Sequence, residues 1–216
     1  IVWAPHHSYS PAWLNFGVFT EVHEQMLAFA RSYPDVDVVL RPHPFLFGTM
    51  VDRGQLAAEH LEAWLKAWNQ LPNTALDADS TYAELFLATD LLYTDGISFL
   101  GEYPLVTDKP AVFHEKPDHW SFAPIGEAAA AASVRVASFR EFESLVGSVR
   151  ASGLPSREAE ITRLRAMASP YPGQAAQRII EVVAADYTHG PSPLVDPAVI
   201  KTVAWERRPG TEPQED

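Results

Sequence analysis

Two hydrophobic periods alternate along this chain, and that alternation limits its fold more than any other feature. Short apolar runs ("IVWAP", "DVDVVLRP", "NTALDA", "DLLYTD", "PAVFHE" and "ASVRVAS") are separated by segments with helical spacing. The first such segment, 18–33, places Phe19, Val22, Met26, Leu27, Phe29 and Ala30 along one side of a helix. Further helices are expected at 53–71, at 81–89, over "FLGEYPL", and at 139–151, 156–167 and 173–187. The continuous apolar centre of "DVDVVLRP" suits a strand covered on both faces. Strand and helix in alternation predict an α/β fold, a doubly wound parallel sheet with right-handed crossovers. The 216 residues suffice for one such domain. Its expected extent is 1–187, and the Pro-rich stretch 188–216 reads as a tail or wrapping segment.

In such a sheet a ligand sits beyond the carboxyl ends of the strands, at the point where strand order reverses. The residues that follow each run are therefore the candidates. After the first come Pro5-His6-His7-Ser8, and after the second Arg41-Pro42-His43-Pro44. The fourth leads into Thr94-Asp95-Gly96-Ile97-Ser98, and the fifth into His114-Glu115-Lys116. Gly96 permits a sharp turn and close approach of a ligand. A helix that begins near Ile97 would aim free N–H groups and a partial positive charge at that turn, and Ser98 adds a hydroxyl, a combination suited to phosphate. The same pattern also fits an ordinary strand-to-helix turn with a solvated serine.

Pro42 and Pro44 hold His43 in extended chain, where an imidazole can donate to a phosphoryl oxygen or exchange a proton near neutral pH. Arg41 stands beside it, able to pair with a ligand or with a carboxylate. His6 and His7 should point to opposite sides of an extended segment, so at most one of them faces the cleft. Glu102 lies one helical turn after Ser98 and could accept from ribose hydroxyls. Ser80 can cap the helix at 81–89 and sits at the same predicted edge. No metal-ligand spacing supports a zinc site built from His6, His43 and Asp95, so no metal is expected. Trp64 and Trp68 read as core.

The net charge is −12 with no block of Lys or Arg, which argues against nonspecific binding to nucleic acid or anionic lipid. There is no cysteine, hence no disulfide or thiolate metal site. No apolar run is long enough to span a bilayer. The sequence opens directly on a strand, without Met or a signal-peptide pattern, and reads as cut from something longer.

"IVWAPHHS", "VVLRPHP" and "STYAELFLATDLLYTDGISFLGEYPLVTDKPAVF", in that order, resemble the C-terminal half of the CDP-glycerol glycerophosphotransferases, the teichoic acid polymerase family and its capsule-polymer relatives. The resemblance runs from about Ile1 to Phe113. It implies a Rossmann-like domain, one half of a GT-B arrangement, that binds the nucleotide of a CDP-activated donor as substrate. It also implies that an N-terminal half of the same enzyme carries a catalytic base and most contacts to a polyol or sugar polymer acceptor. By the same resemblance His43 matches a histidine that stabilises the leaving phosphate. Thr94, Asp95 and Ser98 fall on the family's phosphate-holding "TDxSS" segment, and Glu102 falls where the family usually has Asp. Gly96 and Ile97 depart from the pattern. One hydroxyl contact is missing, and another nucleotide-activated alcohol or sugar stands beside CDP-glycerol as donor. The resemblance implies no metal cofactor and a cytoplasmic enzyme, peripheral at the inner face of the cell membrane.

Two other classes fit the same strand pattern. One is a nucleotide-sugar glycosyltransferase of the GT-B type. The other is a non-catalytic, flavodoxin-like binding domain. A receiver domain fits poorly, because histidines replace the acidic cluster expected after its first strand.

Overall fold

The computed structural model describes residues 1–78 and 81–189. Among them, six three-residue strands form one all-parallel sheet in the order β3-β2-β1-β4-β5-β6. They are β1 (Val2–Ala4), β2 (Val38–Leu40), β3 (Thr74–Leu76), β4 (Leu92–Thr94), β5 (Val112–His114) and β6 (Val134–Val136). Each coincides with one of the apolar runs. The doubly wound Rossmann-like architecture follows from where the chain goes between them.

Side chains alternate across each strand, so each strand feeds two cores. Trp3, Tyr93 and Val112 point to one face, where α1 (Phe19–Ser32), α2 (Leu46–Asp52), α3 (Ala58–Asn69) and α7 (Phe139–Ser152) cover them. Val2, Ala4, Leu92 and Phe113 point to the other, under α4 (Ala83–Ala88), α5 (Ile97–Thr107), α6 (Pro124–Ala131) and α8 (Glu158–Ala168). On the first face Trp3 stacks on Phe19 at 5.3 Å and meets Trp64 and Trp68 at 6.1 and 5.9 Å. Truncating a buried ring of this size costs about 3–5 kcal/mol, so this cluster fastens the central strand to α1 and α3. Trp64 and Trp68 are core, as their spacing suggests.

Several helical expectations change. The span 53–71 is helical only from Ala58, because Arg53 ends α2 and Gly54 follows with φ of 63°. Helices α2 and α6 were not expected. Gly48 interrupts the apolar pattern of the first, and the alanine run of the second has helix propensity without a periodic stripe. Helix α4 begins at Ala83 after Tyr82, two residues later than expected. The last helix, α9 (Ala175–His189), passes the expected domain end at residue 187, and 190–216 lies outside the described residues.

Candidate functional site

Strand order reverses between β1 and β4, the two central strands, and the loops leaving them define a crevice. The β1 loop supplies Pro5 and His6, the β2 loop Arg41 to Pro44, the β3 loop Asp77 and Ala78, and the β4 loop Thr94, Gly96 and Ser98. Together with Phe47, Leu76 and Phe99 they enclose a cavity of about 560 Å³. Its walls are mainly apolar, with polar groups at the strand ends.

Direct hydrogen bonds hold the loops in register. The backbone N–H of His43 donates to the Pro5 carbonyl at 3.1 Å. The Thr94 hydroxyl donates to the Ala4 carbonyl at 2.7 Å and accepts from the Gly96 N–H at 3.1 Å. Asp95 is fully enclosed. One of its oxygens accepts from the His6 N–H at 2.6 Å and the other from the Val18 N–H at 2.7 Å. Val18 precedes α1 and offers no side-chain cap, so Asp95 pins both the β1 loop and the entry to α1. Burial pushes its carboxyl up to about 7, against the pull of these N–H donors. Thr94 and Asp95 thus serve the shape of the site, with their polar atoms engaged inside the protein.

Three imidazoles gather at the crevice. His7 stacks on His43 with ring centroids 3.7 Å apart, and His6 lies 4.6 Å from His7 and 5.6 Å from His43. The adjacent pair does not diverge as an extended chain would require. Beyond β1 the backbone turns, because the His6 Nδ1 accepts from the Ser8 N–H at 3.2 Å and faces the Ser8 hydroxyl at 2.8 Å. His6 lines the cavity, whereas His7 supports His43 from the side. His43 Nδ1 accepts from the Phe45 N–H at 3.2 Å, which leaves its Nε2 as the protonated, donating nitrogen. Burial lowers the pKa of all three rings, that of His6 to about 3, with the neighbouring imidazoles adding to the shift for His6 and His7. At neutral pH His6 and His43, whose Nδ1 atoms accept from backbone N–H groups, offer uncharged Nε2–H donors.

Opposite stands the N-terminus of α5. Gly96 is its cap residue in extended conformation, and no side chain caps the helix. The first-turn N–H groups of Ile97, Ser98 and Phe99 therefore have no intrahelical acceptor, and the helix dipole places partial positive charge there. A Cβ on Gly96 would lie 3.1 Å from Cδ2 of His6, so glycine is what lets the β1 and β4 loops close together. Ser98 is exposed at this end.

Arg41 lines the cavity but is almost buried, paired with Asp77 and lying 5.0 Å from the Tyr82 ring and 5.9 Å from Phe99. Its charge is committed to the wall. Glu102 accepts from the Tyr82 hydroxyl and borders a second cavity of about 300 Å³ between α5 and α6. Ser98 lines both cavities, so the α5 N-terminus sits between them. Ser80 lies outside the described residues. His114 and His119 are internal, bonded to the Tyr93 hydroxyl and the Trp120 carbonyl respectively. Exposed Phe45, 5.5 Å from His43, and Trp13, 5.4 Å from His7, form an aromatic rim that no sequence pattern singled out.

No family model matches this chain, and no curated protein matches it significantly. Among the described residues no helix is long and apolar enough to cross a membrane.

Proposed function

We propose that this chain is the donor-binding domain of a glycerophosphotransferase-like enzyme, one that moves glycerol phosphate or a related group from a CDP-activated donor to a cell-surface polymer acceptor. The observation that carries the reading is the meeting of His43 and the uncapped α5 N-terminus across one cavity at the sheet's switch point. A nucleotide bound there would rest its base and ribose against the apolar walls and its diphosphate against N–H donors.

In the proposed reaction an acceptor hydroxyl oxygen attacks the distal phosphorus of the donor. The bond from that phosphorus to the bridging oxygen breaks, and the nucleoside monophosphate leaves with the electron pair. The acceptor's proton passes to a base outside this chain. His43 Nε2–H donates to the departing phosphate, and the N–H groups of Ile97 and Ser98 spread its charge, donors fixed in place before the reaction begins. Orientation by the two loops supplies the remainder. The full enzyme would act in the cytoplasm at the inner membrane face, where its polymer acceptor is anchored.

Calorimetric titration with CMP, CDP and CDP-glycerol, alongside UDP- and GDP-sugars, tests the donor class. Cytidine nucleotides binding more tightly than the others supports the proposal. Selective binding of a UDP- or GDP-sugar replaces it with a glycosyltransferase, and no nucleotide binding at all overturns both.

A further inference from the structure

Away from the crevice, on the outer side of α1 and α3, three metal-ligating side chains converge: His23 and Glu24 of α1 and His60 in the first turn of α3. The His23 side chain is only 7% exposed. Its Nδ1 lies 3.1 Å from the Phe19 carbonyl, an acceptor only, so Nδ1 carries the proton and Nε2 the lone pair. That Nε2 is buried and has no hydrogen-bond partner. It faces Glu24 Oε1 at 3.7 Å, and His60 Nε2 lies 3.0 Å from the same oxygen. The three ligand atoms lie within 4.8 Å of one another.

A buried imidazole lone pair turned towards a carboxylate oxygen is repulsive unless a hydrogen-bond donor or a cation stands between them. The neutral ring's own proton does not fill that role, because it sits on Nδ1 beside the Phe19 carbonyl and 3.7 Å is too long for a hydrogen bond to Glu24. We propose that His23, Glu24 and His60 form a site for a divalent transition-metal ion that ties α1 to α3. Two imidazole nitrogens and one carboxylate oxygen suit zinc, nickel or copper rather than the all-oxygen shells of calcium and magnesium. Ligand atoms of a tetrahedral zinc with bonds near 2.0–2.1 Å sit about 3.3 Å apart, so closing this cluster takes side-chain movements of about 1 Å. His60 and Glu24 are exposed and free to make them. The Phe19 carbonyl is the outer partner that fixes the His23 tautomer. The Trp64 indole donates to the His23 carbonyl at 3.1 Å and braces the same turn from α3. The site shares no residue with the crevice, and the remaining coordination positions are left to solvent.

The test uses the 216-residue chain, stripped with a chelator and titrated with zinc by calorimetry, with cobalt absorption reporting coordination geometry. The expected result is one zinc per chain, a raised melting temperature, and a tetrahedral or five-coordinate cobalt spectrum. His60→Ala and Glu24→Gln, both at exposed positions, should each weaken zinc at least as much as the roughly 10- to 100-fold loss that follows removal of an outer partner. His43→Ala should leave it unchanged. Absence of stoichiometric binding overturns the proposal. So does zinc binding that survives His60→Ala and is lost in His43→Ala, which would assign the ion to the crevice histidines instead.

Discussion

The imidazoles of His7 and His43 stack face to face, 3.7 Å between centroids and 23° from parallel, although they leave two different strands of the sheet. Two protonated rings cannot share that geometry; burial holds both below the ordinary histidine pKa, and the nearby His43 ring adds to the shift of His7. An anion placed against the pair reverses the balance and draws a proton in, onto His7 or, with the Phe45 N–H bond opened, onto His43 Nδ1. Nucleoside diphosphate affinity should therefore rise as pH falls from 8 towards 6, by up to about tenfold per pH unit for one coupled proton. Titrations in buffers of different ionisation enthalpy count the protons taken up. His43→Ala should flatten the dependence.

Under the proposed function, removing the imidazole of His43 should reduce transfer in the full-length protein by about 10²–10³-fold, the loss typical of one preorganised donor to a developing charge. Donor binding should weaken far less, since the α5 N–H groups remain. Comparison of kcat with KM for His43→Ala, with circular dichroism to confirm the fold, separates the two effects. Unchanged kcat would remove His43 from the reaction.

Asp95 is expected to matter for folding rather than for ligand contact. Its carboxyl is buried and raised to about 7, so protonation favours the folded state. Its contribution is complete below the ordinary value of 3.8 and is lost as pH rises through about 7. Asp95→Ala leaves the His6 and Val18 N–H groups without their acceptor and should cost about 1–3 kcal/mol for each one left buried and unsatisfied. Asp95→Asn should cost less, and its deficit against wild type should shrink as pH rises through 7. Urea denaturation at several pH values measures both.

The sheet was readable from the chain because every strand is a short apolar run bounded by polar or turn residues, and because strand and helix alternate. Strand ends could then be searched for chemistry, which located His43, Gly96 and Ser98. What the pattern could not show was three-dimensional pairing. Nothing local to Arg41 reveals that Asp77 neutralises it, and nothing local to Asp95 reveals that it receives N–H groups from the β1 loop and α1. His6 and His7 were read by the period of extended chain, which fails where Ser8 folds the backbone back on His6. Glu102 shares a helix face and the second cavity with Ser98, yet only Ser98 also reaches the crevice. Exposed Phe45 and Trp13 carry no periodic signal at all.

Gly96→Ala is a narrow probe of loop closure. The added methyl would meet the His6 ring at 3.1 Å and push it by a few tenths of an ångström. The expected cost in stability is about 1 kcal/mol, near the low end for overpacking. Nucleotide affinity should fall out of proportion to that cost, because the His6 ring and the α5 N-terminus separate. Equal losses in a thermal melt and a CDP titration would mean that the contact serves folding only.

The most direct measurement is a crystal structure of the chain with CDP. The account predicts the diphosphate at the N-terminus of α5, within hydrogen-bond reach of the Ser98 N–H and His43 Nε2, with the base against the apolar wall of the crevice. A diphosphate found elsewhere on the protein, with that corner filled by water or by rearranged side chains, would contradict it.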